Sequence, residues 1–307
     1  MINKLEWDRL VDRRLLKRRL AFWRVLALVG LVSAGLALWA RFGDGQTGGT
    51  DHIARLWVDD IIFEDSFRLE VLQDLEDDDS AKAVIIRIDS PGGTVVGGET
   101  LYKALLRLGE KRPVVAVMGE MATSAGYMVA IAADRVYAHE GTLTGSIGVI
   151  LQTADITGLL DKLGIKPETV KSAPLKAVPN PMEPFTDAAR EVTRASVLDS
   201  FDLFKEMVMT RRRFDAQTLA PLADGRVFTG RQALKAGLVD ALGGEREALD
   251  WLAAEKGVDL GLPVRDLETM TPEDRFLDLL DGLVGKAFVS ETLNLDGLIS
   301  LWHPGLR

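Results

Sequence analysis

The chain of 307 residues is 47% hydrophobic and 27% charged, enough apolar material for one large or two modest cores and too much for a disordered chain. It contains no cysteine, which excludes disulfides, thiolate metal sites and a cysteine nucleophile but leaves an oxidising compartment open. The formal charge of −9 is unevenly spread: residues 1–41 carry nine Lys or Arg against three Asp or Glu, a net of +6 that leaves −15 for the remainder. So acidic a body repels phosphates and argues against a nucleic-acid partner.

The basic segment 1–19 leads into an apolar run. No residue from Val25 to Ala40 is charged, and counted from Leu20 the stretch is interrupted only by Arg24, whose long side chain can snorkel towards headgroups. At about 1.5 Å per helical residue, the segment 20–41 is long enough to cross a hydrocarbon core of roughly 30 Å. Arg13, Arg14, Lys17, Arg18 and Arg19 stand before it, so the positive-inside rule puts the N-terminus in the cytoplasm and everything after Arg41 outside the cytoplasmic membrane. A cleaved signal peptide is the alternative. The long basic region, an apolar run exceeding the usual signal-peptide core and the poorly placed small residues around Trp39 favour a retained single-pass anchor. Residues 42–51 are glycine-rich and read as a flexible linker.

Past the linker, short β-branched runs at Ile53–Val58, Ala83–Ile88, Val114–Met118 and Arg135–Ala138 predict buried strands. Helical patterns alternate with them. One places Leu101, Leu105 and Leu108 on a single face; a longer one, from about Asp187 to Arg212, puts Val197, Leu198, Phe201, Phe204 and Val208 on its apolar stripe. This alternation predicts an α/β domain over 52–256 with largely parallel strands. Residues 257–307 form a C-terminal extension in which Leu277, Leu279, Leu280, Leu283 and Val284 make an amphipathic patch. Asp278 and Asp281 among them favour packing on protein over lying on an anionic membrane surface. No internal repeat, metal-ligand cluster or phosphate-binding loop emerges, so neither cofactor nor metal is expected.

In three places small residues gather at strand ends, where backbone must come close to something. In Asp89-Ser90-Pro91-Gly92-Gly93-Thr94 the proline is expected to stop the ladder, and the glycine pair permits positive φ and leaves an amide uncovered. Such an amide can donate to an oxyanion; an ordinary strand-to-helix turn is the other reading. In Gly119-Glu120-Met121-Ala122-Thr123-Ser124-Ala125-Gly126-Tyr127, Ser124 opens a helix of small apolar residues. It is either an N-cap or a nucleophile beside the exposed Ala125 amide, and β-branched Thr123 is the weaker nucleophile candidate. In Thr142-Leu143-Thr144-Gly145-Ser146-Ile147-Gly148-Val149, Ser146 either orients a base or satisfies a turn, with the turn favoured.

A serine nucleophile needs a base, and the three histidines serve poorly. His139 stands at a turn beside Glu140, and His52 and His303 lie near the ends of the region after the linker. A lysine whose neutral amine accepts the serine proton does the same work. Lys162, Lys166, Lys171 and Lys176 all follow Ser124, and spacing does not choose among them.

Taken together these segments resemble the signal peptide peptidase A family in its short bacterial form with a single catalytic domain. The resemblance covers roughly Ile53 to Gly244. It rests on Ser90-Pro91-Gly92-Gly93, on Ala122-Thr123-Ser124-Ala125-Gly126-Tyr127, on Thr144-Gly145-Ser146-Ile147-Gly148-Val149, and on Gly225-Arg226-Val227-Phe228-Thr229-Gly230 followed by Ala233, Gly237, Leu238, Val239 and Asp240. It implies the Clp protease/crotonase-like fold and a Ser–Lys dyad with Ser124 as nucleophile and Lys176 as general base, Lys171 being the fallback. It also implies oxyanion-hole amides at Gly93 and Ala125, peptide substrates including signal peptides, and a homo-oligomer in which serine and lysine meet across subunits. Two departures stand out: Ala125 replaces the first glycine of the family's usual pair, and Ser172-Ala173-Pro174-Leu175-Lys176 lacks its usual glycine and aromatic. A crotonase-like acyl-thioester enzyme and an inactive membrane scaffold are the competing expectations.

Overall fold

The computed structural model describes residues 19, 22–33, 50–269 and 299–301. The chain divides into a unit Met1–Thr50 and a unit Asp51–Arg307. In the first, residues 22–33 are helical, with the Phe22 and Trp23 rings edge to face at 6.1 Å. Among the described residues no helix is long and apolar enough to cross a membrane; the anchor expected over 20–41 extends outside them. The amphipathic patch from Leu277 to Val284 and His303 also lie outside them.

The second unit is built on three long neighbouring strands, β1 (His52–Ile62), β2 (Ala81–Thr94) and β3 (Val114–Thr123), paired parallel in the order β1-β2-β3. Their apolar runs are continuous because both faces are buried. Ala54, Leu56, Val58, Val84, Ile86, Ile88, Val114, Ala116 and Met118 face one core; Ile53, Ala83, Ile85, Val115 and Val117 face a second, smaller one. Over the first face lie α1 (Ser66–Glu76), α2 (Val95–Lys111), α3 (Ala125–Ala130) and the C-terminal half of a long helix, here α5 (Asp187–Arg212). Short α4 (Thr157–Lys162) precedes it, and α6 (Ala216–Leu219), α7 (Gly230–Ala236) and α8 (Glu245–Lys256) follow. Ala248 and Leu252 of α8 cover the second face.

Shorter strands complete the sheet: β4 (Arg135–Ala138), β5 (Leu143–Gly145), β6 (Val227–Thr229), β7 (Ala241–Leu242), β8 (Val264–Asp266) and β9 (Ile299–Leu301). All pairings are parallel except β5 with β6 and β2 with β9. The expected strands and the α/β class are present, and the long helix has the expected bounds.

Two expectations need correction. Pro91 does not end β2, which runs on to Thr94 while still paired with β1 at Gly92 and Gly93. The proline is tolerated because the β2–β3 register breaks between Ile88 and Ser90, so no ladder donor is required there. Nor is the whole stripe of α5 core: Phe204 and Val208 are fully buried but Leu198 is 45% exposed. Replacing Phe204 by Ala should therefore cost about 3–5 kcal/mol, and Leu198 by Ala under about 0.5 kcal/mol, read from urea unfolding of the full chain; equal costs would contradict this division of the helix.

Candidate active site

The sheet splits at one level. β3 pairs with β4 from Val115 to Met118, then hands the same edge to β5 from Met121 to Thr123. β2 pairs with β3 up to Ser90, opposite Ala122, and then at Gly92–Thr94 with antiparallel β9. Hydrogen bonds from side chains bridge the opening: Thr123 Oγ1 donates to the Pro91 carbonyl at 2.9 Å and Thr144 Oγ1 to the Ala122 carbonyl at 2.7 Å. The backbone closes the rest, with Ser124 N–H donating to Gly145 O and Ser146 N–H to Arg226 O, each at 2.9 Å. All four sequence segments singled out above therefore meet at this split.

Ser124 stands at the point where β3 ends and α3 begins. Its backbone has φ 56° and ψ −117°, outside the regions open to a residue with a Cβ, a strain of order 1–3 kcal/mol that the surroundings must hold. The bond to Gly145 holds it on one side. On the other, Tyr127 N–H and Met128 N–H both donate to the Ser124 carbonyl, at 2.9 and 3.0 Å. The side chain makes no capping bond to α3, so the N-cap reading of this serine fails. Thr123, the weaker nucleophile candidate, is fully buried with its hydroxyl committed to Pro91.

Gly93 is a glycine for reasons of space: a Cβ there would stand 1.9 Å from the Ile62 carbonyl oxygen. Gly92 is one for reasons of conformation, with φ 121°. Ala125 is the first residue of α3, where a helix leaves its N–H without an intrahelical acceptor. Gly126 lets α3 sit on β2, since a Cβ would meet the Ser90 carbonyl oxygen at 3.1 Å. Tyr127 anchors the helix from below: its hydroxyl, fully buried, donates to Leu238 O at 2.9 Å, and burial pushes the phenol well above its usual range.

The lysines lie elsewhere. From Ile150 to Ala188 no residue is buried in the single chain, and Lys176 is exposed within this stretch, its N–H closing a turn on Ala173 O. Lys171 is ion-paired with Glu183, whose carboxylate its hydrogen bond holds below the usual range, so this fallback amine is already engaged. Neither is brought to Ser124 by contacts within one chain. His139 satisfies a turn as expected, its N–H donating to Thr142 Oγ1 at 3.0 Å, and His52 Nδ1 lies 3.3 Å from the Ser80 hydroxyl. Ser146 has φ 50° in its turn. An apolar groove lined by Ile147, Val149, Ile150, Val197, Leu198 and Phe201 opens directly after it.

Sequence reasoning missed Asp60. It has φ 57° at a register shift of β1 against β2, and its carbonyl accepts from the Ser90 hydroxyl at 2.5 Å. Nothing in a run of acidic residues signals a bulge. The bond from the Thr123 hydroxyl to the Pro91 carbonyl was also unread, although both sit in segments the reading had marked.

Comparison with known proteins adds the following. Peptidase family S49 matches residues 107–259, a span holding Ser124 and Lys176. Clp protease matches residues 63–144, a span holding Gly93, Ser124 and Ala125, and the α/β sheet is accordingly Clp protease-like. A protein of Synechocystis sp. named "Putative protease slr0021" is 38% identical over 216 residues, 70% of this chain and 78% of that protein. The "Putative signal peptide peptidase SppA" of Enterococcus faecium is 34% identical over 61% of this chain and 55% of its own length. "Serine protease SPPA, chloroplastic" of Arabidopsis thaliana is 31% identical over 75% of this chain and 34% of its own.

The anchoring role of Tyr127 is open to direct test. Tyr127→Phe strips the buried Leu238 carbonyl of its donor and should destabilise the chain by about 1–3 kcal/mol, seen as a lower urea midpoint at unchanged m-value. An unchanged midpoint would mean that the hydroxyl does not hold the helix.

Proposed function

This chain belongs to peptidase family S49, the signal peptide peptidase A family of serine proteases, and from that membership we propose that it is a membrane-anchored endopeptidase working by a Ser–Lys dyad. Ser124 is the nucleophile, Lys176 the general base, and the amides of Gly93 and Ala125 form the oxyanion hole. The observation that carries this reading is the Ser124 backbone, held strained at a strand-to-helix junction with its side chain spared from capping. A serine with a merely structural role gains nothing from that conformation.

The chemistry is acyl transfer. The neutral amine of Lys176 takes the Ser124 proton as Oγ attacks the peptide carbonyl, and the carbonyl oxygen becomes an oxyanion facing the two amides. Collapse expels the amine of the leaving peptide, protonated by the lysine, and leaves an ester on Ser124. The lysine then deprotonates a water that attacks the ester, which frees the second peptide and restores the hydroxyl.

An extended peptide suits this place. The edge of β2 at Gly92–Thr94 already pairs with an extended stretch of chain, β9, and main-chain pairing of that kind is how sheets take up peptides. The apolar groove beside Ser146 supports apolar side chains in the substrate. Cleaved signal peptides fit that class, and one relative carries that substrate in its name. The apolar run over 20–41 behind its basic flank supports an anchor in the cytoplasmic membrane with the catalytic unit on the outer side.

The base is best supplied by a second copy. A stretch from Ile150 to Ala188 that buries none of its own residues leaves Leu159, Leu163, Ile165 and Val170 more than half exposed. Apolar surface of that extent is characteristic of subunit interfaces, and Lys176 rides on it.

Ser124→Ala and Lys176→Ala should each lower kcat on an apolar fluorogenic peptide by about 10⁴-fold or more. If the dyad forms between subunits, dissociating and reassembling an equal mixture of the two inactive variants should restore about a quarter of wild-type activity, as random pairing in a homo-oligomer dictates. Retained activity in Ser124→Ala would refute the nucleophile; dead variants whose mixture stays dead would place the lysine within its own chain.

A further inference from the structure

An oxyanion hole is worth most when its donors are fixed before the reaction, to within a few tenths of an ångström. Gly93 has no side chain with which to fix itself, and its strand has exchanged β3 for β9 as a neighbour while keeping β1. What sets the peptide plane leading into it at this exchange is a question the dyad leaves open.

The peptide unit immediately before it is gripped at both ends. The Pro91 carbonyl accepts from Thr123 Oγ1 at 2.9 Å, and the Gly92 N–H of the same peptide donates to Ser90 Oγ at 3.1 Å. Both hydroxyl residues are fully buried. Ser90 Oγ is itself oriented, since its single proton points to the Asp60 carbonyl at 2.5 Å, with Gly92 O further away at 3.2 Å. The Asp60 carbonyl is available because β1 is bulged there, at a positive φ. Because a peptide unit is planar, holding its oxygen and its nitrogen fixes the whole plane and the place of the Gly92 Cα, from which the chain runs on in register with Ile61 and Ile62 of β1. The next amide is that of Gly93.

The same two residues touch the nucleophile's side of the site. Thr123 is bonded to Ser124 in the chain. Ser90 forms the surface on which α3 rests, its carbonyl oxygen and Cβ lying 3.1 and 3.5 Å from where a Cβ of Gly126 would be. One pair of hydroxyls thus sets the plane of the oxyanion strand and ties it to the segment that carries the nucleophile.

We propose that Ser90 and Thr123 are positioning residues that clamp the Pro91–Gly92 peptide so that the Gly93 N–H faces the developing oxyanion; this rests on the assignment of Ser124 and Gly93 above. Neither hydroxyl touches the reacting atoms. Their effect is on the transition state, and a purely structural pair of buried hydrogen bonds predicts a different result.

The test uses the full-length protein and its variants Ser90→Ala, Thr123→Val and Thr123→Ser, each normalised by labelling of the active serine with a fluorophosphonate, with Ser124→Ala as the unlabelled control compared at equal protein concentration. The clamp predicts that Thr123→Val and Ser90→Ala lower kcat by about 10- to 100-fold with KM within about twofold. A peptide aldehyde, whose adduct on the serine carries the oxyanion, should lose affinity by the same factor. Thr123→Ser, which keeps the hydroxyl, should recover most of the kcat that Thr123→Val loses. The proposal is overturned if folded Thr123→Val keeps wild-type kcat and aldehyde affinity, or if Thr123→Ser is as impaired as Thr123→Val, which would make the position one of packing alone. Should Ser90→Ala fail to fold, the two Thr123 variants decide. Failure of the underlying assignment looks different: Ser124→Ala would then stay active.

Discussion

A strand cannot leave its neighbour without leaving backbone donors and acceptors that something else must satisfy, and that constraint organises this molecule. At the level of Ser90 and Ala122, β2 and β3 part: β2 takes β9 on the edge it had shared, while β3, on its other edge, passes from β4 to β5. The gap between them is bridged by a hydroxyl rather than by ladder bonds, from Thr123 to Pro91. The split is what allows a serine to stand in a strained turn beside the Gly92–Thr94 strand, whose edge there is taken by β9 instead of β3. Continuous pairing of β2 with β3 would fill the opening with backbone.

The small residues around the split follow from the close approaches it demands. Gly93 runs against the Ile62 carbonyl and Gly126 against Ser90, and Gly98 of α2 leaves room for Ala125, whose Cβ lies 3.1 Å from where one of its own would stand. These three glycines have no need of positive φ; Gly93 and Gly126 are small because a second backbone passes within contact, and Gly98 because the side chains of Met128 and Ala125 do. Gly92 and Gly145, with φ of 121° and 80°, are the positions where conformation decides. The substitution of Ala125 for the family's usual glycine is absorbed at α3, where its methyl packs on Gly98 and its amide stays at the helix start.

How much of this was legible follows from the range of each signal. The strands were readable because β1, β2 and β3 are buried on both faces and so spell unbroken apolar runs. The long helix was readable because its apolar residues from Val197 to Val208 recur at helical spacing; the structure adds what fixes its ends, Thr186 accepting from Ala189 N–H at 3.2 Å and Arg213 in a left-handed turn. The site segments announced themselves through small residues. Three things were beyond local pattern. The passage of Pro91 through a strand depends on a register break with a partner 30 residues away, and the Asp60 bulge on a hydroxyl 30 residues away. The exposure of Leu198 depends on what covers α5, and periodicity says only that the stripe wants cover.

The last point bears on what a single chain can be. Packing here is complete around Ser124, where Ala125 and Tyr127 are also buried and the neighbouring segments are hydrogen-bonded to one another. It is absent along residues 150–188, which contain no buried residue and carry the lysines. On the reading proposed above, the nucleophile and its hole are preassembled by folding while the base arrives by association, so the two halves of the reaction are separated in time as well as in sequence. If the chain is anchored as proposed, such a division has a physical advantage where apolar segments are crowded. A lone chain would hold a strained serine without the amine that activates it, and activity would appear only where the exposed apolar surface of the arm had found a second copy.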